Sequence, residues 1–294
     1  MITIKQLSKT SIKTIHEAFS KAFSDYVEPF DLTQEQLQYM IERRGCDFNL
    51  SFGAFDNDEL IGFTLNGIGQ WNGKLTAYDT GTGIIKEYRK KGIATRMFDE
   101  SLPILRQHGV KQYLLEVIRS NKSAVELYKK AGFKTTREFD YYISEKDKLN
   151  LKKKFNPNDF TIREITNPDW LYLKSFWSFE PSWQNSIYSI NRKFDHFRFL
   201  GIYKNEDLVG YGILEKTTGD IPQLAVANRY RRLGLGSLLI NFLIDLSESK
   251  MIKIINVETS YKPFKAFAES INLVPGAGQY EMLLDLQKRK IKNI

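Results

Sequence analysis

The chain repeats itself. Ile2-Thr-Ile-Lys-Gln-Leu-Ser has a counterpart in Phe160-Thr-Ile-Arg-Glu-Ile-Thr, and Phe52-Gly-Ala-Phe-Asp-Asn-Asp-Glu-Leu-Ile-Gly-Phe returns as Leu200-Gly-Ile-Tyr-Lys-Asn-Glu-Asp-Leu-Val-Gly-Tyr. Tyr88-Arg-Lys-Lys-Gly-Ile-Ala returns as Tyr230-Arg-Arg-Leu-Gly-Leu-Gly, and Leu115-Glu116 is matched by Val257-Glu258. The offset shrinks from 158 (Thr3 to Thr161) through 148 (Gly53 to Gly201) to 142 (Gly92 to Gly234). Such a drift means similar elements joined by connections of different length. Whatever fold is built must be built twice, and 294 residues suffice for two domains with a core each. The expected division is 1–146, a linker at 147–158, and 159–294. Charge, three successive lysines and Asn156-Pro157-Asn158, without apolar periodicity, mark the linker.

Within the first copy, strands are predicted at Ile2 to Leu7, Leu50 to Phe55, Leu60 to Asn66, Leu75 to Ile85 and Tyr113 to Ile118, with a last one near Phe139 to Ile143. Helical spacing runs through Ile12 to Phe23 and again through Ile93, Met97, Phe98, Leu102 and Leu105. Asp31-Leu-Thr reads as a helix start. Strands bracketing helices in this order give an α/β class with a mixed sheet. The second copy carries Trp170, Tyr172, Phe176, Trp177, Phe179 and Trp183 where the first has its two early helices, a cluster expected to pack rather than to stack on a ligand. It ends in a strand at Tyr280 to Leu286 and a basic tail.

The chemistry starts at Gly83 to Thr95. A strand meets a tight basic turn, Arg89-Lys90-Lys91-Gly92, and a helix opens at Ile93-Ala94-Thr95. That order aims unpaired backbone N–H groups and the positive end of a helix dipole at one spot, where a phosphate fits. Downstream, Leu114-Leu115-Glu116-Val117 reads as a buried strand, followed by Asn121 and Ala124-Val125-Glu126-Leu127-Tyr128-Lys129-Lys130-Ala131-Gly132-Phe133. Together the two segments resemble the GCN5-related N-acetyltransferases (GNAT), and the second resembles their ribosomal-protein N-terminal acetyltransferase branch. The resemblance covers nearly the whole chain as two tandem GNAT-like domains.

The resemblance implies direct transfer of acetyl from acetyl-CoA to an amine, without a covalent enzyme intermediate and without a metal. The pyrophosphate would sit on the N–H groups of Arg89, Lys90, Lys91, Gly92, Ile93, Ala94 and Thr95. The pantetheine arm would lie along Gly83, Ile84 and Ile85, with Asn121 bonding it. Glu116 would accept the ammonium proton, its carboxyl raised by a cleft environment, and Tyr128 would protonate the departing thiolate. Tyr78 and Asp79, on the approaching strand, and Asp25, Tyr26 and Glu28, between the first helices, are candidate acceptor contacts.

In the second copy, Ala225 and Val226 lead into Arg231-Arg232-Leu233-Gly234-Leu235-Gly236-Ser237, an expected CoA loop. Setting Leu273 against Phe133 places Ala268 opposite Tyr128, so this copy is read as degenerate. The same features would also fit a non-catalytic acetyl-CoA-binding or protein-interaction module on the duplicated fold. The basic linker and tail raise a nucleic-acid reading, but the net charge of +8 is otherwise scattered and decides nothing. Neither a membrane nor a nucleic acid is an expected partner. A single cysteine, Cys46, and no signal-peptide pattern lead to a cytoplasmic expectation. His16, His108 and His196 lie too far apart for metal-ligand spacing. There is no Gly-x-x-x-x-Gly-Lys-Ser/Thr, no dinucleotide fingerprint and no nucleophile elbow.

Overall fold

The computed structural model describes residues 1–25, 31–151 and 160–288. Tyr26 and Glu28 therefore lie outside the described residues, as do most of the linker and the end of the basic tail. Two units are formed, Met1–Arg137 with Tyr280–Ile294, and Glu138–Gln279.

In the first unit β1 (Ile2–Gln6) precedes α1 (Ile12–Phe23), which starts because Ser11 accepts the Thr14 N–H at 3.1 Å. Its apolar face, Ile15, Ala18, Phe19 and Ala22, is buried. Helix α2 (Gln34–Arg43) starts in the expected stretch, capped at Thr33, since Thr33 and Gln36 bond each other reciprocally. Strands β2 (Phe52–Asp56), β3 (Glu59–Trp71) and β4 (Lys74–Ile84) then pair as an antiparallel meander with β1 at its edge. β3 outruns its expected end at Asn66. Gly67 and Gly69 disguise the extension, and Gly67 is there because the Arg44 carbonyl occupies the place of a Cβ. The turn at Asn72 and Gly73 has positive φ at both residues, as a two-residue hairpin needs.

After β4 come α3 (Ile93–Gln107), β5 (Gln112–Ile118), α4 (Lys122–Lys130) and the long β6 (Lys134–Glu145). The division between units falls within β6, after Arg137. The second unit repeats the plan with β7 (Thr161–Glu164), α5 (Trp170–Lys174), α6 (Ile187–Asn191), β8 (Phe197–Lys204), β9 (Asp207–Glu215), β10 (Gln223–Val226), α7 (Leu235–Asp245), β11 (Met251–Glu258), α8 (Lys262–Ser270) and a short β12 (Val274–Pro275). Strands β7 to β10 form one antiparallel sheet, while β11 and β12 pair with the far half of β6. Of the aromatic cluster, Phe176 and Trp183 are buried and Trp170 and Trp177 lie against the Phe199 and Tyr211 core, while Phe176, Trp177 and Phe179 also line the cavity described below.

The last strand, β13 (Gln279–Asp285), lies between β5 and β6 in the first unit. Met282, Leu284 and Leu286 pack there with Leu105, Tyr113, Leu115 and Phe133. Arg106 Nε donates to the Leu286 carbonyl at 2.9 Å. Glu281, 3% exposed, takes Arg137 Nη2 at 2.6 Å and the Thr136 hydroxyl at 2.7 Å. So the last strand of the sequence completes the first unit's core, and β6 carries the first copy's chain into the second unit.

Cys46 lies under α2, with Sγ 3.4 Å from the Ser51 hydroxyl, and burial pushes its thiol up to about 12. A thiol so far from ionising is a packing group, not a nucleophile. No helix among the described residues is long and apolar enough to cross a membrane.

Candidate active site

Two loops of the same shape stand at matching places. In the first, Lys90 has φ 62° and Gly92 φ 74°; in the second, Arg232 has φ 66° and Gly234 φ 84°. Each left-handed glycine opens a helix, α3 or α7. A Cβ at Gly92 or Gly234 would touch nothing within 4 Å, so backbone conformation rather than space selects glycine. The first helical bonds are Arg96 N–H to Gly92 O and Leu238 N–H to Gly234 O, each 3.0 Å. The N–H groups of Ile93, Ala94 and Thr95, and of Leu235, Gly236 and Ser237, thus have no partner within their helices. The residues fit a pyrophosphate in both copies.

Arg89 does a different job from the one its position suggested. Its N–H bonds the Lys86 carbonyl, while its guanidinium donates to Ile84 O at 3.0 Å, Ala22 O at 2.7 Å and both Asp25 oxygens at 2.7 and 2.9 Å. Arg231 repeats this, donating to Val226 O at 2.9 Å, Phe176 O at 3.4 Å and Ser178 Oγ at 2.9 Å. Both arginines brace the loop against the preceding strand and the start of the copy. Asp25, expected to face an amine, is instead Arg89's partner, and that hydrogen bond lowers its pKa.

β4 pairs with β5 in parallel only from Thr76–Tyr78 to Gln112–Leu114, then the strands diverge. The stretch from Asp79 to Ile84, bonded to β3 on one side, offers its other edge to the gap. Gly83, Ile84 and Ile85 follow that edge into the loop. Glu116 stands on β5 two residues past the last paired position, and Tyr128 on α4. Asn121 caps α4, its Oδ1 accepting the Ala124 N–H at 3.1 Å and the Ser123 hydroxyl at 2.9 Å.

Where the strands part, Glu116 and Tyr128 each meet a neighbour on β4. Tyr78, fully buried, shares a hydrogen bond with Glu116; burial and then the Glu116 charge push its hydroxyl well above its ordinary pKa. The Tyr128 hydroxyl donates to Asp79 Oδ2 at 3.1 Å. The Thr82 hydroxyl lies 3.0 and 2.9 Å from Asp79 Oδ1 and Oδ2. Burial pushes the Asp79 carboxyl up to about 6, against the donors from Thr82 and Tyr128 and the Arg44 charge, which pull it down. Arg44, whose Nη1 donates to Thr80 O at 3.0 Å, was missed in the sequence, where a lone arginine at a helix end carries no signal.

In the second unit a cavity of about 1170 Å³ opens between its loop, β10 and β11, with Phe179, Tyr261 and Phe267 among its walls. Asn185 lines it, 3% exposed, its Nδ2 bonded to Ile255 O at 2.9 Å and its Oδ1 buried without a hydrogen-bond partner. The hydrogen-bond frame fixes which residues correspond. Phe133 N–H bonds Tyr128 O as Leu273 N–H bonds Ala268 O, so Ala268 does hold the tyrosine's place. Asn121 N–H bonds Ile118 O as Tyr261 N–H bonds Glu258 O. Glu258 therefore matches Ile118, and Glu116 is matched by Asn256, not by Glu258 as the sequence suggested. β11 also carries a bulge here: its register shifts between Ile254 and Val257, and Asn256 takes φ 59°. Asn256 Nδ2 donates to Ser182 Oγ at 2.9 Å.

The sequence profile described as "Acetyltransferase (GNAT) family" matches residues 12–133 and 161–269, one region in each copy. The chain belongs to the GNAT acetyltransferase family. It is a tandem GNAT N-acetyltransferase with the mixed α/β fold expected from its repeat. N-alpha-acetyltransferase 30 of Schizosaccharomyces pombe is 30% identical over 149 residues, 50% of this chain and 94% of that protein. N-alpha-acetyltransferase MAK3 of Arabidopsis thaliana is 30% identical over 107 residues, 36% of this chain and 56% of that protein. A solved tandem GNAT protein from the clavulanic acid biosynthesis pathway superposes with a TM-score of 0.73 over 99% of this chain and 100% of its own, at 13% identity, a likeness of fold alone.

Proposed function

We propose that the first copy transfers acetyl directly from acetyl-CoA to the α-amine of a peptide or protein. The observation that carries the reading is the parting of β4 from β5, with an N–H loop at its mouth and Glu116 and Tyr128 at its crotch. The pyrophosphate binds the N–H groups of Lys90 to Thr95, and the pantetheine arm lies along Gly83 to Ile85 beside Asn121. Glu116 takes the ammonium proton, held in place by the Tyr78 hydroxyl. The amine nitrogen then bonds the carbonyl carbon, and an N–H on the open edge of β4 receives the oxyanion. As the oxyanion re-forms the carbonyl the C–S bond breaks, its electron pair goes to sulfur and Tyr128 supplies the thiol proton, while the nitrogen gives up its second proton to water, leaving the neutral amide.

The acceptor class rests on the names of the two relatives, both N-alpha-acetyltransferases. Tyr26 and Glu28 are proposed to wall its entry. The second copy holds a CoA thioester along Ala225, Val226 and Arg232 to Ser237 without turning it over, since Asn256 and Ala268 stand where a base and an acid are needed. The cytoplasm suits its single cysteine.

The test is acetyl transfer from labelled acetyl-CoA to two peptides of one sequence, one with a free α-amine, the other blocked there and carrying a lysine. Label on the first at a rate at least ten times that on the second is expected. Equal or reversed labelling would contradict the α-amine reading.

A further inference from the structure

Asp79 is the first residue of β4 beyond its pairing with β5, at the point where the cleft begins. Oδ2 accepts from Tyr128, and the single Thr82 hydroxyl proton lies between Oδ1 and Oδ2. That leaves it poorly suited to meet an incoming ammonium. Meanwhile the Tyr128 ring is set edge-on to Phe133, centroids 5.5 Å apart at 68°, and Phe133 is set against Tyr113 at 5.7 Å and 89°. Packing fixes the ring; the hydroxyl, free to rotate about its C–O bond, is fixed by the carboxylate.

We infer that Asp79 is the positioning residue for Tyr128, holding the phenol oxygen at the crotch of the cleft where the thiolate departs. This rests on the proposed role of Tyr128 as the leaving-group acid. Thr82 in turn holds Asp79, its hydroxyl also lying 3.2 Å from Thr64 Oγ1, so a chain of hydroxyls from β3 and β4 ends on the acid.

Steady-state kinetics of Asp79→Ala, Tyr128→Phe and the double variant test this in the full-length chain. Asp79→Ala should lower kcat about as much as Tyr128→Phe does, tenfold to a hundredfold, with KM for acetyl-CoA and for amine within twofold of wild type. The double variant should be no slower than Tyr128→Phe alone, because both changes remove one function. Asp79→Asn, which keeps an acceptor oxygen, should be less impaired than Asp79→Ala. If Asp79→Ala melts below the assay temperature, Asp79→Asn carries the test: a threefold to tenfold loss, absent when Tyr128→Phe is already present. Additive losses, or a raised KM for amine at unchanged kcat, would overturn the inference and return Asp79 to the acceptor site. An unchanged kcat in Tyr128→Phe would instead remove Tyr128 as the acid.

Discussion

Ending the chain before Tyr280 is expected to unfold the first unit, although every residue of the first copy would still be present. The core around Leu105, Tyr113, Leu115 and Phe133 would lose Met282, Leu284 and Leu286, each 5% exposed or less. Burying three such side chains contributes roughly 5–9 kcal/mol, at about 1.5–3 kcal/mol apiece. That is comparable to the whole stability of an ordinary domain. The loss of Glu281 adds to it, leaving Arg137, 16% exposed, without the carboxylate it binds at 2.6 Å. The same reasoning applies to residues 1–146 expressed alone. Circular dichroism and thermal melts should show no cooperative transition for residues 1–146 and only that of the second unit for the chain ended at Gln279, whereas a melt matching that of the intact chain would mean that β13 is dispensable.

Glu116→Gln should reduce kcat by two to four orders of magnitude with acetyl-CoA affinity intact. Glutamine keeps the size and can still accept from the Tyr78 hydroxyl, so the cleft floor should hold its shape. What is lost is the capacity to take a proton from an ammonium, and general-base catalysis typically supplies about 10²–10⁴ in rate. The deficit should shrink as pH is raised, because more of the amine then arrives without its proton. kcat at several pH values, with acetyl-CoA binding measured alongside, checks this. A loss confined to KM would make Glu116 a binding group.

Sequence alone carried the repeat and the loops, because both depend on strong local demands. Gly92 and Gly234 stand where the backbone turns left-handed, and the basic residue two before each, Lys90 or Arg232, does the same. The passage of β13 into the first unit left no such trace: an alternating apolar strand suits any open sheet edge, and the choice depends on Met282 and Leu284 meeting a partner core far away in sequence. The place of Asn256 also escaped: the hydrogen-bond frame of the two helices sets it against Glu116, two residues before Glu258, and the bulge there does not alter the apolar pattern of β11. Asp79 and Tyr78 are singled out in the sequence as candidate acceptor contacts, but their hydrogen bonds to Tyr128 and Glu116 join separate elements and follow only from how those elements pack. Arg89 shows the opposite hazard, a cation beside a phosphate loop whose side chain is wholly engaged in bracing it.

The central claim, a first copy that works and a second that only holds its ligand, is tested most directly by calorimetric acetyl-CoA titration together with turnover for wild type, Gly92→Glu and Gly234→Glu. At either position a glutamate has room but places a charged side chain at the phosphate site and strains a positive φ. Wild type should bind two equivalents. Gly92→Glu should bind one and lose turnover, and Gly234→Glu should bind one and keep it. Turnover that survives Gly92→Glu and disappears with Gly234→Glu would reverse the assignment of the working copy.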